Sequence, residues 1–282
     1  MKIFTSATLD KKFALNELIY ESGVVVVEDV FDLEVIKKAR SVVNEFADNQ
    51  EQKESHFNAE AESSGKIHLQ QRVWNLFGKN LVFSDLIMHD LIFDLMSKFL
   101  GSEFFCGSYC ASRLLPGSPG QELHIDYPYW DYYKKETFPM GLNSSFPQNC
   151  QVTIPLDVCS VNSGATAFIP GSQKNLHYPN KNDDFSNLQQ MIAKPGDLVF
   201  FNGNCWHGAM PNKSDHQRAA LLIEFLPKYI KPVEDLVSFL NLDFKENCPE
   251  RIKQLLGLKY EYPKIMDKSK SVNQIGIGYK GN

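Results

Sequence analysis

His124 and Asp126 are separated by one residue, Ile125. On a β-strand, residues i and i+2 point to the same face. This imidazole and this carboxylate can therefore reach one metal ion, while Ile125 turns away into packing. A second imidazole, His207, sits in FFNGNCWHGAM, where a strand, an Asn-Gly turn and a second strand place it near the end of a β element. Two imidazoles and one carboxylate make a facial triad, the ligand set that leaves positions on iron open for a cosubstrate and oxygen. Arg218 follows His207 by eleven residues, at the start of the apolar run AALLI. A guanidinium on an apolar strand needs an anionic partner, because burying it unpaired is too costly. A dicarboxylate would satisfy it through a bidentate fork, and Ala219 and Ala220 leave room for one. His-x-Asp alone is a weak signal, and so is a histidine followed by an arginine. In this order, on expected strands, with turn signals between them, they form a specific pattern.

The elements that must bring these residues together are legible at low resolution. Helical spacing of apolar residues predicts helices over 8–21, 31–48 and 81–100, the last closed by Gly101. Gly23–Val27 reads as a short buried strand, and residues 49–66 as a polar loop that is either a solvated linker or a lid. From about 103 to 227, short Val/Ile/Phe/Leu runs alternate with PG, NSG, PGS, PGD and NGN turns, the texture of a sandwich or barrel. Helices are expected near 232–241 and 249–256. The expected fold is mainly β with surrounding helices, a double-stranded β-helix of the jelly-roll, cupin-like kind. A single domain over 1–282 would then comprise a helical part (about 1–102), a β-helix core (about 103–227) and a helical extension (about 228–282).

Composition narrows the function. Lys plus Arg is 29 against 34 for Asp plus Glu, a net charge of −5. That lacks the cationic surplus a general nucleic-acid binder uses against phosphates. The longest apolar runs fall far short of the roughly 18–20 residues of a membrane span, and the first twenty residues hold no signal-peptide core. The expectation is a soluble, cytoplasmic protein with no nucleic-acid or membrane partner; its oligomeric state is left open. Six cysteines without a CxxC pair read as free, buried thiols rather than a zinc site.

On its motifs the chain resembles the phytanoyl-CoA dioxygenase family of iron(II)- and 2-oxoglutarate-dependent oxygenases. The resemblance runs from about Gly23 to Leu226 through Gly23–Val30, Leu114–Gly117, the HxD, Asn162–Gly164, Ile169–Ser172, Pro195–Asp197, Trp206–Gly208 and Pro211–Asn212. It implies that His124, Asp126 and His207 bind Fe(II), and that Arg218 clamps the distal carboxylate of 2-oxoglutarate. Such enzymes use O2 and 2-oxoglutarate, release succinate and CO2, and oxidise a substrate C–H, usually by hydroxylation. The family often carries Ser or Thr two residues after the distal histidine; here that position is Ala209, and Thr153 on the strand QVTIPL is the candidate substitute. Relatives also use a polar side chain on the strand before HxD, where Arg113 and Tyr109 stand. Family halogenases replace the carboxylate of HxD with Gly or Ala, so Asp126 favours oxygenation.

Five aromatics crowd residues 127–133, directly after the HxD. In related members this segment lines the substrate pocket, which makes Tyr127 and Trp130 candidates for substrate contact; ordinary packing is the alternative. His56 and His68 flank the polar loop, and His56 is a further candidate to reach substrate. The reading is a hydroxylase of a small-molecule metabolite. Its rivals are an oxygenase acting on protein or peptide side chains, and a non-enzymatic barrel that binds a metal or small ligand.

Overall fold

The computed structural model describes residues 1–49, 63–126, 148–175 and 177–258. Two β-sheets face each other, with helices packed on the outside of the larger one. Its seven strands are β1 (Lys2–Thr5), β2 (Val24–Glu28), β3 (Gln70–Val73), β4 (Phe105–Leu114), β5 (Cys150–Pro155), β8 (Leu198–Asn202) and β10 (Arg218–Leu226), in the order β1-β2-β8-β5-β10-β4-β3. The smaller sheet has the order β7-β6-β9, from β6 (Ala167–Phe168), β7 (Gln189–Gln190) and β9 (His207–Gly208). A bridge between His124 and His207 adds the HxD segment to it. This is the expected double-stranded β-helix.

Alternation along the large sheet sorts its side chains into two populations. Val25 and Val27, Leu198 and Phe200, Val152 and Ile154, Leu221 and Ile223 turn outward to the helices and form the main core. The opposite parity faces the second sheet. There Val24, Val26, Val199 and Phe201 pack on Phe168 and Met191. The strands are thus apolar on both faces near β2 and β8, which explains the unbroken runs VVVV and LVFF.

Helix α1 (Lys11–Tyr20) begins where Asp10 accepts hydrogen bonds from the amides of Lys12 and Phe13. Helix α2 (Leu33–Asn49) buries Ile36, Ala39, Val43 and Ala47 against the sheet. The helix expected over 81–100 is two helices, α3 (Leu81–Ile87) and α4 (Asp90–Phe99). His89 stands between them, and its Nδ1 accepts from the Leu91 amide at 3.2 Å, so it starts α4 as a cap. Burial holds its imidazole below the usual histidine range. After β10, helices α5 (Leu242–Asn247) and α6 (Glu250–Leu255) follow. The helix expected near 232–241 does not form. Glu234 instead turns inward, where its carboxylate accepts from the amides of Asn75 and Tyr109 and from the Ser108 hydroxyl. The polar loop reading of 49–66 falls largely outside the described residues.

All six cysteines are free and buried. Burial pushes the Cys110 and Cys205 thiols up to about 12, so they remain protonated packing groups. Among the described residues no helix is long and apolar enough to cross a membrane.

Asp157 fastens the start of β10 to the rest of the sheet. One oxygen accepts from the Ala219 amide at 2.9 Å and from Gln217 Nε2 at 3.1 Å, and the other pairs with Arg40 at 2.6 Å. Replacing it leaves a buried amide without an acceptor, a loss of roughly 1–3 kcal/mol. We expect Asp157→Ala to lower the unfolding free energy by that amount, read as a lower urea midpoint at unchanged slope, and Asp157→Asn to lose less. Equal stability of wild type and Asp157→Ala would refute this bracing role.

Candidate metal centre

The HxD segment and β9 run antiparallel, and His124 and His207 exchange both backbone hydrogen bonds, at 2.8 and 3.0 Å. This pairing sets the two imidazoles side by side, with ring centroids 4.5 Å apart. Two residues on, the Asp126 amide donates to the Gly203 carbonyl at 3.0 Å. The carboxylate therefore projects from the same face as His124, as the i, i+2 spacing requires. Its oxygens lie 3.2 Å from His207 Nε2 and 3.6 Å from His124 Nε2. All three donor atoms lie within 4.8 Å of one another, a group able to hold a metal ion.

The histidine tautomers are set by the backbone. His124 Nδ1 lies 2.8 Å from the Glu122 carbonyl, and His207 Nδ1 lies 2.7 Å from the Cys205 carbonyl. A carbonyl only accepts, so each Nδ1 carries the proton and each Nε2 offers its lone pair to the centre. Burial alone would raise the Asp126 pKa, but the imidazoles of His207 and His124 outweigh it and hold the carboxyl well below its usual range. Burial likewise opposes protonation of His207, and the Asp126 charge overcomes it, so the His207 pKa lies above its ordinary value. The three groups already attract one another; a divalent cation would replace the shared protons. Two neutral imidazole nitrogens with one carboxylate suit a first-row divalent ion.

Turns read from the sequence as punctuation serve as braces here. Ser172 of the Ile-Pro-Gly-Ser turn accepts from the Trp206 amide at 2.7 Å, immediately before His207. A Cβ on Gly208 would stand 2.6 Å from the Gln121 carbonyl oxygen, so the HxD strand can approach β9 only because that residue is glycine. Trp206 is buried beside Ile125 and Ile169, as packing.

Arg218 opens β10 and is 4% exposed. Its Nη2 donates to the Gly164 carbonyl at 2.6 Å, which gives the Asn-Ser-Gly turn a specific task. Its Nε is buried without a hydrogen-bond partner, and among the described residues no carboxylate forms an ion pair with it. Burial first, with the neighbouring charge of Arg72, lowers its pKa. Arg218 lines a small cavity together with Thr153, Pro155, Cys159, Thr166 and Val199. The structure thus brings Thr153 and Arg218 together on the inner face of the large sheet.

Tyr109 and Arg113 are not brought to this cavity, and the expectation that they contact cosubstrate is corrected. Both have the opposite strand parity. Tyr109 is fully buried in the helix-side core against Phe77 and Phe83, and its hydroxyl donates to the Phe83 carbonyl at 3.0 Å. Arg113 pairs with Asp48 and donates to Gln71 Oε1 at 2.6 Å and Asn44 Oδ1 at 3.2 Å, tying β4 to α2 and β3. On β4 it is Cys110 and Ser112 that share the inner face, opposite Leu222 and Ala220 of β10. Tyr127, Trp130 and His56 lie outside the described residues. The sequence reading missed the bracing roles of Asp157 and Ser172, whose signals look like those of any turn.

The profile of the family described as phytanoyl-CoA dioxygenase (PhyH) matches residues 19–220. "Dioxygenase ALT11" of Alternaria alternata is 25% identical over 202 residues, covering 69% of this chain and 65% of that protein. "Dioxygenase cdmD" of Talaromyces verruculosus is 28% identical over 257 residues, covering 85% of this chain and 81% of the relative. The match thus spans just under two thirds of the length of the first of these relatives. Among solved structures, HygX of Streptomyces hygroscopicus with nickel and 2-oxoglutarate bound superposes with a TM-score of 0.58 at 15% identity, over 80% of this chain and 89% of that one. The epimerase SnoN, in complex with Fe3+, alpha ketoglutarate and nogalamycin RO, gives 0.56 at 14% identity, over 77% of this chain and 83% of that one. At these identities the likeness is one of fold.

The geometry predicts that Asp126→Ala and His207→Ala each weaken divalent metal binding by at least about 100-fold. Metal content after desalting, measured by atomic emission, tests this. Wild-type stoichiometry in both variants would remove the cluster as a metal site.

Proposed function

We propose that this chain, which belongs to the phytanoyl-CoA dioxygenase family, is an iron(II)- and 2-oxoglutarate-dependent dioxygenase that hydroxylates a C–H bond of a small-molecule metabolite. The observation that carries this reading is the presence of two complementary features, one on each of the two facing sheets. A three-donor cluster able to hold a metal stands on the small sheet, and a buried arginine whose Nε has no partner opens β10 of the large sheet. A simple metal-binding barrel needs the first feature and has no use for the second. The overall reaction balances as R–H, O2 and 2-oxoglutarate giving R–OH, succinate and CO2.

His124, Asp126 and His207 would hold the iron, which when bound supplies the redox chemistry coupling cosubstrate decarboxylation and oxygen reduction to C–H oxidation. Arg218 takes the distal carboxylate of 2-oxoglutarate through its fork, satisfying its own Nε. Gly164 holds the guanidinium by Nη2 and fixes its plane. Thr153 donates its hydroxyl to the same carboxylate, the task that Ala209 cannot perform. Val199 and Pro155 keep that end of the cavity dry, which strengthens the ion pair. The side chains of His124 and Asp126 are 25% and 15% exposed against 7% for His207, so substrate approaches from the HxD side. Support for a small-molecule substrate comes from the neighbours of similar fold, one of which is described with hygromycin B bound.

The test is anaerobic addition of iron(II) and 2-oxoglutarate, which should produce a visible charge-transfer band, followed by succinate release on admitting oxygen with a metabolite panel. Arg218→Ala removes two charge-assisted hydrogen bonds of roughly 1.5–3 kcal/mol each and should raise the KM for 2-oxoglutarate by about 100-fold or more. Thr153→Val should raise it by about five- to tenfold, the weight of one neutral hydrogen bond. No band in the wild type, together with unchanged affinity in Arg218→Ala, defeats the proposal.

A further inference from the structure

The peptide unit between Ile125 and Asp126 sets where the Asp126 carboxylate points, and it is held at both ends. Its N–H, the Asp126 amide, donates to the Gly203 carbonyl at 3.0 Å. Its C=O, that of Ile125, accepts from the Tyr178 hydroxyl at 3.1 Å. A peptide unit is planar, so fixing both polar ends fixes the plane. That plane in turn aims the Cα–Cβ bond of Asp126. Ile125 is buried, and water is a poor substitute there for the tyrosine donor.

The residue before Tyr178 reaches the other ligand-bearing strand. The His177 carbonyl accepts from Trp206 Nε1 at 3.3 Å, and its imidazole lies against the indole with centroids 5.2 Å apart. Trp206 directly precedes His207. Residues 177 and 178 therefore cross-link the HxD segment to β9 on the face opposite the metal donors, where strand alternation sends Ile125 and Trp206. The Tyr178 ring packs there against the cluster of Ile125, Ile169 and Trp206. The cross-link has its own anchorage. Phe185 meets the same indole edge-on, and one Asp183 oxygen accepts from both nitrogens of Asn180 at 2.7 Å. A phenylalanine at position 178 would fill the same space. The hydroxyl adds the bond to the Ile125 carbonyl.

We propose that Tyr178 is a positioning residue of the metal centre: through the Ile125 carbonyl it holds the Asp126 carboxylate in the orientation that meets His124 and His207, so that the donor set is formed before the ion arrives. This rests on the reading of those three residues as a metal site and is independent of which substrate is oxidised. A donor set held in place beforehand loses less conformational freedom when the ion enters, and the difference appears as metal affinity. A hydrogen bond that served only the fold would be equally present with and without the ion. Its removal would then leave metal affinity unchanged, because only a differential interaction shifts a binding equilibrium.

Cobalt(II) is the probe, titrated into the metal-free full chain against a competing chelator and followed by its visible ligand-field absorption, which needs no turnover. Tyr178→Phe keeps the ring and removes the donor. It should raise the cobalt(II) dissociation constant about three- to tenfold, the weight of one neutral hydrogen bond, and alter the ligand-field band as the carboxylate gains a second orientation. Tyr109→Phe is the matched control, because it removes another tyrosine-to-carbonyl bond, the one to Phe83 on the helix side of the large sheet. It should lower the melting temperature and leave the cobalt(II) dissociation constant within about twofold of wild type. Unchanged affinity in Tyr178→Phe overturns the positioning role and leaves the metal centre standing, as does an equal loss of affinity in Tyr109→Phe. A wild type that binds no cobalt(II) defeats the reading of the centre, and the role of Tyr178 with it.

Discussion

The pair of backbone hydrogen bonds between His124 and His207 is the constraint on which the site depends. It joins the HxD segment to the small sheet and sets the register of both strands at once. With that register, Asp126 falls opposite Gly203 and its carboxylate meets both imidazoles. A slip of one residue would turn His124 and Asp126 to the outer face and leave Ile125 at the centre. The braces around the pair all defend this register. Gly208 permits the close approach, Ser172 holds the amide before His207, and the carbonyls of Glu122 and Cys205 orient the rings.

The large sheet supplies the second half of the chemistry through simple alternation. Every second residue of β10 packs against helices, and the residues between them face inward. Arg218 and Glu224 belong to the inward set, as Thr153 and Gln151 do on β5. The same rule accounts for the residues that do not take part. Tyr109 and Arg113 are polar and close in sequence to the HxD, yet their parity directs them to the helix side. There one serves the core and the other ties β4 to α2.

Burying a guanidinium is unfavourable, and the fold tolerates Arg218 by meeting part of its demand. Gly164 takes one Nη, and the remaining fork faces the cavity. Asp157 secures the neighbouring amide without reaching the guanidinium itself, so the strand is held while the cation stays available. Such partial satisfaction is what a binding site for a dicarboxylate requires: position fixed by protein, charge left for ligand.

The sequence by itself determined the chemistry available to this protein. The i, i+2 spacing of His124 and Asp126, the distant His207 and the arginine eleven residues beyond it name a metal set and an anion partner. Each follows from local geometry on a strand, and local geometry is what a sequence records. The turn signals marked the stretch that holds β4 to β10, and apolar patterning located α1, α2 and β2, but β1, β2 and β3 join the large sheet from the part expected to be helical. Tertiary structure alone decided which polar residues share the site. Helix α4 starts at His89, and no helix forms near 232, because of contacts made across the chain. Tyr109, Arg113, Thr153 and Gln151 look alike in one dimension, as polar residues on apolar strands. Only the pairing of β4, β5, β8 and β10 assigns each a face, because a strand's parity has no meaning until a second sheet gives it an inside.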